Sequence, residues 1–172
     1  MELFEAIAKR HSYRGKYKDL PVSDADIRKI LTAGIQAPSG YNTQTTTYVV
    51  VTDPALKEQI AALHPVPVMQ TAPVMLVALS ESKDTHFNLR FELEDYAASV
   101  ENVLLAMTAL GYAGVWIDGM MKRDGIGQAI GEILHVPAGK TVRAVIPVGV
   151  PEETVCQKEK KSFEERVHYN AF

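Results

Sequence analysis

Segments with helical periodicity alternate with short β-branched segments along most of this chain. Apolar residues recur at intervals of three and four positions in residues 27–35 and again from about Asn88 to Leu110, a spacing that predicts helices with a buried face. Thr46–Thr52 and Pro73–Leu79 have the β-branched or apolar composition of strands. Since each such element needs another to cover its apolar face, the alternation predicts a layered sheet with helices on its faces.

The length of 172 residues predicts a single domain over residues 1–172. Local sequence signals predict further helices and strands within it. Ser23 can cap a helix whose first turn holds Asp24 and Asp26. The other predicted elements are a short helix before Arg10, a helix from Asp53-Pro54, a proline-containing loop over Val66–Thr71, a strand over Ala113–Ile117, a helix marked by Ile126, Ile130, Ile133 and Leu134, and a strand over Thr141–Val150.

Composition and charge exclude several classes of function. The 18 basic and 21 acidic residues give a net charge of −3, without the basic surplus of a nucleic-acid-binding surface. Cys156 is the single cysteine, so neither an intrachain disulfide nor a thiolate metal cluster can form. Residues 1–10 do not resemble a secretory signal, and the apolar run Ala72–Leu79 is too short to span a bilayer. We therefore expect a soluble cytoplasmic protein that binds neither nucleic acid nor membrane.

Several motif-like segments lack the context that their chemistry requires. The glycines of residues 125–131 miss the dinucleotide-binding spacing by one position, and Gly139-Lys140-Thr141 lacks the earlier glycine of a phosphate loop. Glu92, Glu94 and Asp95 begin the long predicted helix, where we expect them to be solvated and to compensate the helix dipole. No two histidines have metal-ligand spacing, so no metal is expected. The histidines are His11, His64, His86, His135 and His168.

Two short segments carry residues suited to a phosphorylated heterocyclic cofactor. The first holds Arg10, Ser12 and Arg14; guanidinium groups pair bidentately with phosphate, and a hydroxyl can donate a further hydrogen bond. The second is a turn-rich loop that presents the carboxamides of Asn42 and Gln44, each offering a donor and an acceptor to the edge of a planar ring. Each has a simpler alternative, because the arginines can form a solvated basic patch and the carboxamides can be ordinary turn residues.

In type, order and spacing these motifs resemble those of the FMN-dependent nitroreductase family, and the resemblance covers essentially the whole chain. Members carry an R-x-S-x-R/K motif after the first helix, a P-S-x-x-N-x-Q loop and an l-G-x-x-x-x-W-I segment. This chain departs from the family at Thr45 and Thr46, where Pro-Trp is frequent, and at Lys160, where arginine is commoner. The resemblance implies an α+β, nitroreductase-like fold: a central mixed β-sheet flanked by helices, and a C-terminal arm that extends to the partner subunit of a homodimer.

The resemblance also implies roles for the site residues. Arg10, Ser12 and Arg14 would bind the phosphate together with a late basic pair, Asn42 would bind the pyrimidine edge, and a backbone N–H near Asp118 would face the flavin N5. The residues implied to bind FMN are Arg10, His11, Ser12, Arg14, Pro38, Ser39, Gly40, Asn42, Gln44, Trp116, Ile117, Asp118, Gly119, Lys158 and Lys160.

By the same resemblance the chain is an enzyme without a side-chain nucleophile. Tightly bound FMN would take hydride from NADH or NADPH and pass it to a small aromatic acceptor such as a nitroaromatic or a quinone, with ping-pong kinetics. Two alternatives remain open. One is a flavin-binding carrier or sensor without turnover, and the other is a relative with oxidative or dehalogenating flavin chemistry, for which the lid region at about Glu81–Glu92 is short.

Overall fold

A computed structural model of the chain describes residues 1–85 and 87–172. His86, within the predicted lid region, lies outside the described residues. The helices are α1 (Leu3–Lys9), α2 (Asp24–Ile35), α3 (Pro54–Leu63), α4 (Pro67–Gln70), α5 (Glu92–Ala109) and α6 (Ile126–Ile133), and the strands are β1 (Thr46–Val51), β2 (Val74–Glu81), β3 (Ala113–Gly114) and β4 (Lys140–Gly149). Two short 3-10 turns cover Gly40–Asn42 and Met120–Lys122.

The four strands form one sheet in the order β1-β2-β4-β3. β1 pairs with β2, β2 with β4 and β3 with β4, each in the antiparallel direction. The named strands therefore form an antiparallel sheet and not the mixed sheet that the resemblance implied. A parallel isolated bridge between Ser12 and Gly114 lies outside these pairings. This bridge joins the segment after α1 to the edge of the sheet beside β3. The predicted fold class, a sheet flanked by helices, is confirmed.

Each face of the sheet has its own hydrophobic core, because successive residues of β2 point to opposite faces. Met75 and Val77 pack in a core that includes residues of α3, α4 and α6. Leu76 and Ala78 pack in a second core with residues of α2 and α5. With both faces covered, β2 is buried at every position but its last, which explains why its sequence is a continuous apolar run.

Two predicted helix starts are confirmed by their caps. The Ser23 hydroxyl accepts a hydrogen bond of 3.1 Å from the Asp26 backbone N–H at the start of α2. The Asp53 carboxylate accepts one of 2.9 Å from the Leu56 N–H at the start of α3, where Pro54 occupies the first position. Both caps satisfy donors that a helix terminus leaves unpaired.

Four local predictions are wrong in part. The strand expected over Ala113–Ile117 is limited to Ala113–Gly114, and Ile117 forms an isolated bridge with Val145. Val66–Thr71 is not a loop throughout, because Pro67 begins the single turn α4. The long helix starts at Glu92 rather than near Asn88, whose φ of 57° is incompatible with a helix. Ile35, placed in the buried stripe of α2, is 64% exposed at the end of that helix.

Gly114→Ala is expected to lower the free energy of unfolding by about 1–3 kcal/mol through overpacking. An added Cβ would lie 2.5 Å from the Pro147 carbonyl oxygen and would collide with the Met107 side chain. Denaturant unfolding followed by circular dichroism measures the change. Gly131→Ala is the matched control, because its Cβ would meet its neighbours at 3.8 Å within α6, where alanine is the better helix former. Equal stability of the two variants would contradict this prediction.

Candidate active site

The segment that follows α1 is fixed to the sheet by two buried tyrosines. Tyr13 is fully buried, and its backbone N–H donates to the Gly114 carbonyl oxygen over 2.9 Å. The Tyr17 hydroxyl donates to a carbonyl oxygen of β4 over 3.0 Å, and burial raises the pKa of this phenol, which therefore stays neutral. Since neighbouring residues of an extended segment point to opposite sides, Ser12 and Arg14 are exposed.

A cavity of about 580 Å³ lies where this segment meets the residues that follow β3. Arg14 and Trp116–Gly119 both line it, so the structure brings together two of the motifs found in the sequence. Val66–Val68 contribute apolar surface from the region of α4, and His64 and Arg123 add polar side chains. The cavity therefore combines an apolar wall with groups of positive or titratable charge.

Several polar groups of this region lack a hydrogen-bond partner among the described residues. The Trp116 Nε1 is buried and unpaired. The backbone N–H of Asp118 donates to no acceptor in the described part of the chain. The Asp118 carboxylate binds the Lys122 ammonium over 3.0 Å and thereby raises the pKa of that lysine. The Trp116 ring packs edge-on against Tyr96, with 5.7 Å between centroids, and burial raises the pKa of the Tyr96 phenol. Buried donors without acceptors are costly, so these groups are candidates for ligand contact.

Arg10 and Arg14 do not share an environment. The Arg10 Nε lies 3.4 Å from a Glu101 carboxylate oxygen, and its side chain is only 20% exposed. Arg14 is exposed and lines the cavity. Its guanidinium lies 3.4 Å from the Ser12 carbonyl oxygen. Between them, the His11 Nδ1 donates to the Lys9 carbonyl oxygen over 2.9 Å, while its buried Nε2 has no partner in the described part of the chain.

The C-terminal arm returns to the N-terminal motif within the same chain. The Gln157 side chain donates to the Arg10 carbonyl oxygen over 2.6 Å. Lys158 and Lys160 follow directly; both are exposed, and neither forms an ion pair within the described residues. The start of the arm is therefore close to Arg10 at Gln157.

The Pro38–Gln44 loop is anchored to the first turn of α5. The Gly40 backbone N–H donates to the Asp95 carboxylate over 2.8 Å, and the Gln44 N–H donates to the Ser39 hydroxyl over 3.1 Å. The side chains of Asn42 and Gln44 are exposed and form no hydrogen bond with the described residues. The loop therefore presents its carboxamides away from its own chain.

One chain does not bring this loop to the cavity. The loop contacts α5 at Asp95, whereas Arg10 contacts α5 at Glu101, six residues later. At roughly 100° per residue, these two positions point about 120° apart around the helix axis. The loop and the arginine motif thus lie on different faces of α5, and the residues that line the cavity include none from the loop.

Sequence reasoning missed or misjudged several residues of this region. Asp95 was expected to be solvated, but it is 4% exposed and accepts hydrogen bonds from the loop. Glu101, the partner of Arg10, and the cavity residues His64 and Arg123 carried no recognisable motif. The acidic cluster at the helix start drew attention to Asp95. It did not distinguish this residue, because acidic residues at a helix start ordinarily compensate the helix dipole.

Among the described residues, no group of three or more His, Cys, Asp and Glu side chains could hold a metal ion. Over the same residues, no helix has both the length and the apolar composition needed to cross a membrane.

The sequence matches the Nitroreductase family over residues 7–64 and 60–150. A protein of Archaeoglobus fulgidus, provisionally named NADH dehydrogenase/NAD(P)H nitroreductase, is 33% identical over 153 residues, which are 88% of this chain and 87% of the relative. A solved structure from Bacteroides thetaiotaomicron with the same provisional name has a TM-score of 0.87 at 27% identity, covering 99% of this chain and 98% of the other. A provisionally named nitroreductase of Desulfovibrio desulfuricans, solved in complex with FMN, has a TM-score of 0.83 at 27% identity, covering 100% and 98%. This chain therefore belongs to the nitroreductase family.

Proposed function

We propose that this protein is an FMN-dependent NAD(P)H oxidoreductase that reduces nitroaromatic or quinone-like acceptors. The observation that carries the proposal is the cavity shared by Arg14 and Trp116–Gly119, next to polar groups that have no partner among the described residues. The FMN complex of the Desulfovibrio desulfuricans relative supports the choice of cofactor. The names of the relatives, which refer to NADH and NAD(P)H, support the choice of reductant.

The chemistry of the donor set fits FMN. Arg10, Ser12 and Arg14, with Lys158 and Lys160, offer the cationic and hydroxyl donors that a phosphate dianion requires. The open backbone N–H groups near Asp118 and Gly119, with the Trp116 indole, suit the polar edge of a flavin ring. The backbone of residues 38–40, and the Asn42 and Gln44 carboxamides, would serve the ring from a second chain.

FMN, when bound, would supply the redox chemistry between NADH or NADPH and the acceptor. The protein would contribute no side-chain nucleophile. The Asp118 N–H would offer the bound ring a fixed dipole, a stabilisation that needs no reorganisation. The apolar residues Val66, Val68 and Trp116 limit water in the cavity and orient flat molecules. A single cavity for both substrates favours ping-pong kinetics.

We also propose a homodimer whose two sites each use residues of both chains. The Pro38–Gln44 loop cannot meet the cavity of its own chain from its face of α5, so a second copy would supply it. The exposed apolar side chains of α1 suit such an interface, with Leu3 at 60%, Phe4 at 83% and Ile7 at 45% exposure. Sedimentation at micromolar concentration should show a dimer, and a flavin-loaded monomer would refute this assembly.

The test of the proposed activity uses the purified protein under anaerobic conditions. We expect a flavin spectrum, bleaching by NADH or NADPH, and recovery of colour when a nitroaromatic or a quinone is added. A protein that holds no flavin would contradict the proposal. Bleaching by neither nicotinamide would identify a carrier or sensor instead.

Asn42→Ala is expected to change the flavin reduction potential or slow nicotinamide-driven reduction, while FMN binding persists at lower affinity. The reason is that a carboxamide placed on the pyrimidine edge acts on the ring and not on the phosphate. Redox titration and stopped-flow reduction measure both effects. Gln59→Ala, an exposed carboxamide on α3, is the control. If potential and reduction rate equal those of the wild type, Asn42 is a turn residue only.

A further inference from the structure

The Asp95 carboxylate is buried, and its hydrogen bonds come from the loop between α2 and β1. Oδ1 accepts from the Gly40 backbone N–H over 2.8 Å. Oδ2 accepts from the Thr45 hydroxyl over 2.7 Å. The Thr43 hydroxyl also lies 3.3 Å from Oδ2, but its shorter hydrogen bond, of 2.8 Å, goes to the Gly40 carbonyl oxygen. Asp95 is 4% exposed, and no ion pair within the described residues includes it. Because a buried carboxylate is costly unless it is hydrogen-bonded, these loop donors and Asp95 depend on one another.

The loop needs such a restraint, because its backbone is unfavourable by itself. Tyr41, Asn42 and Gln44 have φ angles of 51°, 55° and 50°, in the left-handed region that residues other than glycine rarely adopt. This conformation directs the Asn42 and Gln44 side chains to solvent, where neither forms a hydrogen bond with the described residues. The loop is therefore held in one uncommon conformation with its carboxamides available to another molecule.

A row of polar residues on α5 extends the restraint to the helix before the loop. Ser99, four positions after Asp95, donates to the Gly34 carbonyl oxygen over 2.8 Å. Asn102, three positions later, donates to the Ala33 carbonyl oxygen over 3.0 Å. Residues at these intervals lie on one face of a helix, so α5 holds the end of α2 and the loop as one unit.

We infer that Asp95 is a positioning residue that sets the conformation of the 38–44 loop and thereby its contact with the flavin ring. This inference rests on the function proposed above and adds a residue that acts through the loop, without touching the cofactor. Thr45 supplies the shortest of the hydrogen bonds to Asp95, through its hydroxyl.

The test compares flavin binding by Asp95→Asn with that by Glu94→Gln, an exposed neighbour with the same charge change. In Asp95→Asn an amide NH₂ replaces one carboxylate oxygen, so either the Gly40 N–H or the Thr45 hydroxyl proton loses its acceptor and the loop is held less tightly. We expect the affinities for FMN and for riboflavin each to fall roughly tenfold, or about 1.4 kcal/mol, with a shifted reduction potential. The equal loss for the two flavins marks an effect at the ring, because riboflavin lacks the phosphate. Glu94→Gln should behave as wild type.

Thr45→Val removes a single donor and serves as the second variant if Asp95→Asn does not fold. It should lower both affinities by roughly threefold. A loss confined to FMN, or wild-type affinities and potential in the folded variants, would overturn the inference alone. If the wild-type protein binds neither flavin, the proposed function fails and this inference fails with it.

Discussion

Arg10→Ala is expected to lower the affinity for FMN at least tenfold and to leave the affinity for riboflavin unchanged. A charged hydrogen bond to phosphate contributes about 1.5–3 kcal/mol. The Glu101 carboxylate, 3.4 Å from the Arg10 Nε, restrains the Arg10 side chain before any ligand binds. Removal of Arg10 also leaves the Glu101 carboxylate without this cation, and its charge would then repel the phosphate. Arg14→Ala should have a smaller effect, because the exposed Arg14 guanidinium has only a 3.4 Å contact with the Ser12 carbonyl oxygen and must be ordered when FMN binds.

Titration of the apoprotein with FMN and with riboflavin measures this difference. Arg28→Ala is the control, because Arg28 is an exposed arginine of α2 without an ion pair among the described residues. An FMN dissociation constant for Arg10→Ala equal to that of the wild type would refute the phosphate role. Equal losses for FMN and riboflavin would place Arg10 at the ring instead.

The parts of the fold that could be predicted from sequence are those that local interactions decide. Ser23 and Asp53 bond to N–H groups three residues away, so their capping roles follow from short segments. The strands β1 and β2 were recognisable because a β-branched or apolar run of that length suits a buried strand and little else. Element boundaries were less predictable. The left-handed backbone of Asn88 prevents α5 from beginning as early as the apolar pattern suggested.

Asp95 shows why part of the site could not be predicted. An acidic residue in the first turn of a helix is ordinarily solvated and compensates the dipole. What distinguishes Asp95 is the Gly40 N–H, which lies 55 residues away in sequence. Only the packing of α2 against α5 brings these groups together. The sequence therefore showed an acidic residue at the start of the helix, but it could not show that Asp95 is buried.

The basis for expecting a dimer also changes with the structure. The family resemblance implied the homodimer, and the long helix adds no support for it, because Val100, Val103 and Met107 are buried in the core of their own chain. The exposed apolar surface lies on α1 instead, where Phe4 is 83% exposed. A short helix with little periodicity gave no such indication. The assembly remains a proposal, now resting on α1 and on the separation of the loop from the cavity.

The double variant Lys158→Glu with Lys160→Glu is expected to weaken FMN binding roughly a hundredfold, since two charge-assisted contacts become repulsive. The structure gives the reason for including these residues, because Gln157 binds the Arg10 carbonyl oxygen over 2.6 Å and the lysines follow immediately. The dimer should persist at moderate salt, because the apolar side chains of the arm are unchanged. Those side chains are Phe163, Tyr169 and Phe172.

Truncation before Val155 removes both the charges and the apolar side chains of the arm, so it should lower FMN affinity and weaken the dimer together. Comparison with the double charge variant therefore separates the two effects. FMN titration and sedimentation of both variants measure the two effects. Lys18→Glu with Arg28→Glu makes the same charge change at exposed positions and should bind FMN nearly as the wild type does. If the arm variant also binds FMN normally, residues 158–161 are a solvated surface. The phosphate site would then consist of Arg10, Ser12 and Arg14 alone, and Gln157 would serve only to hold the arm against α1.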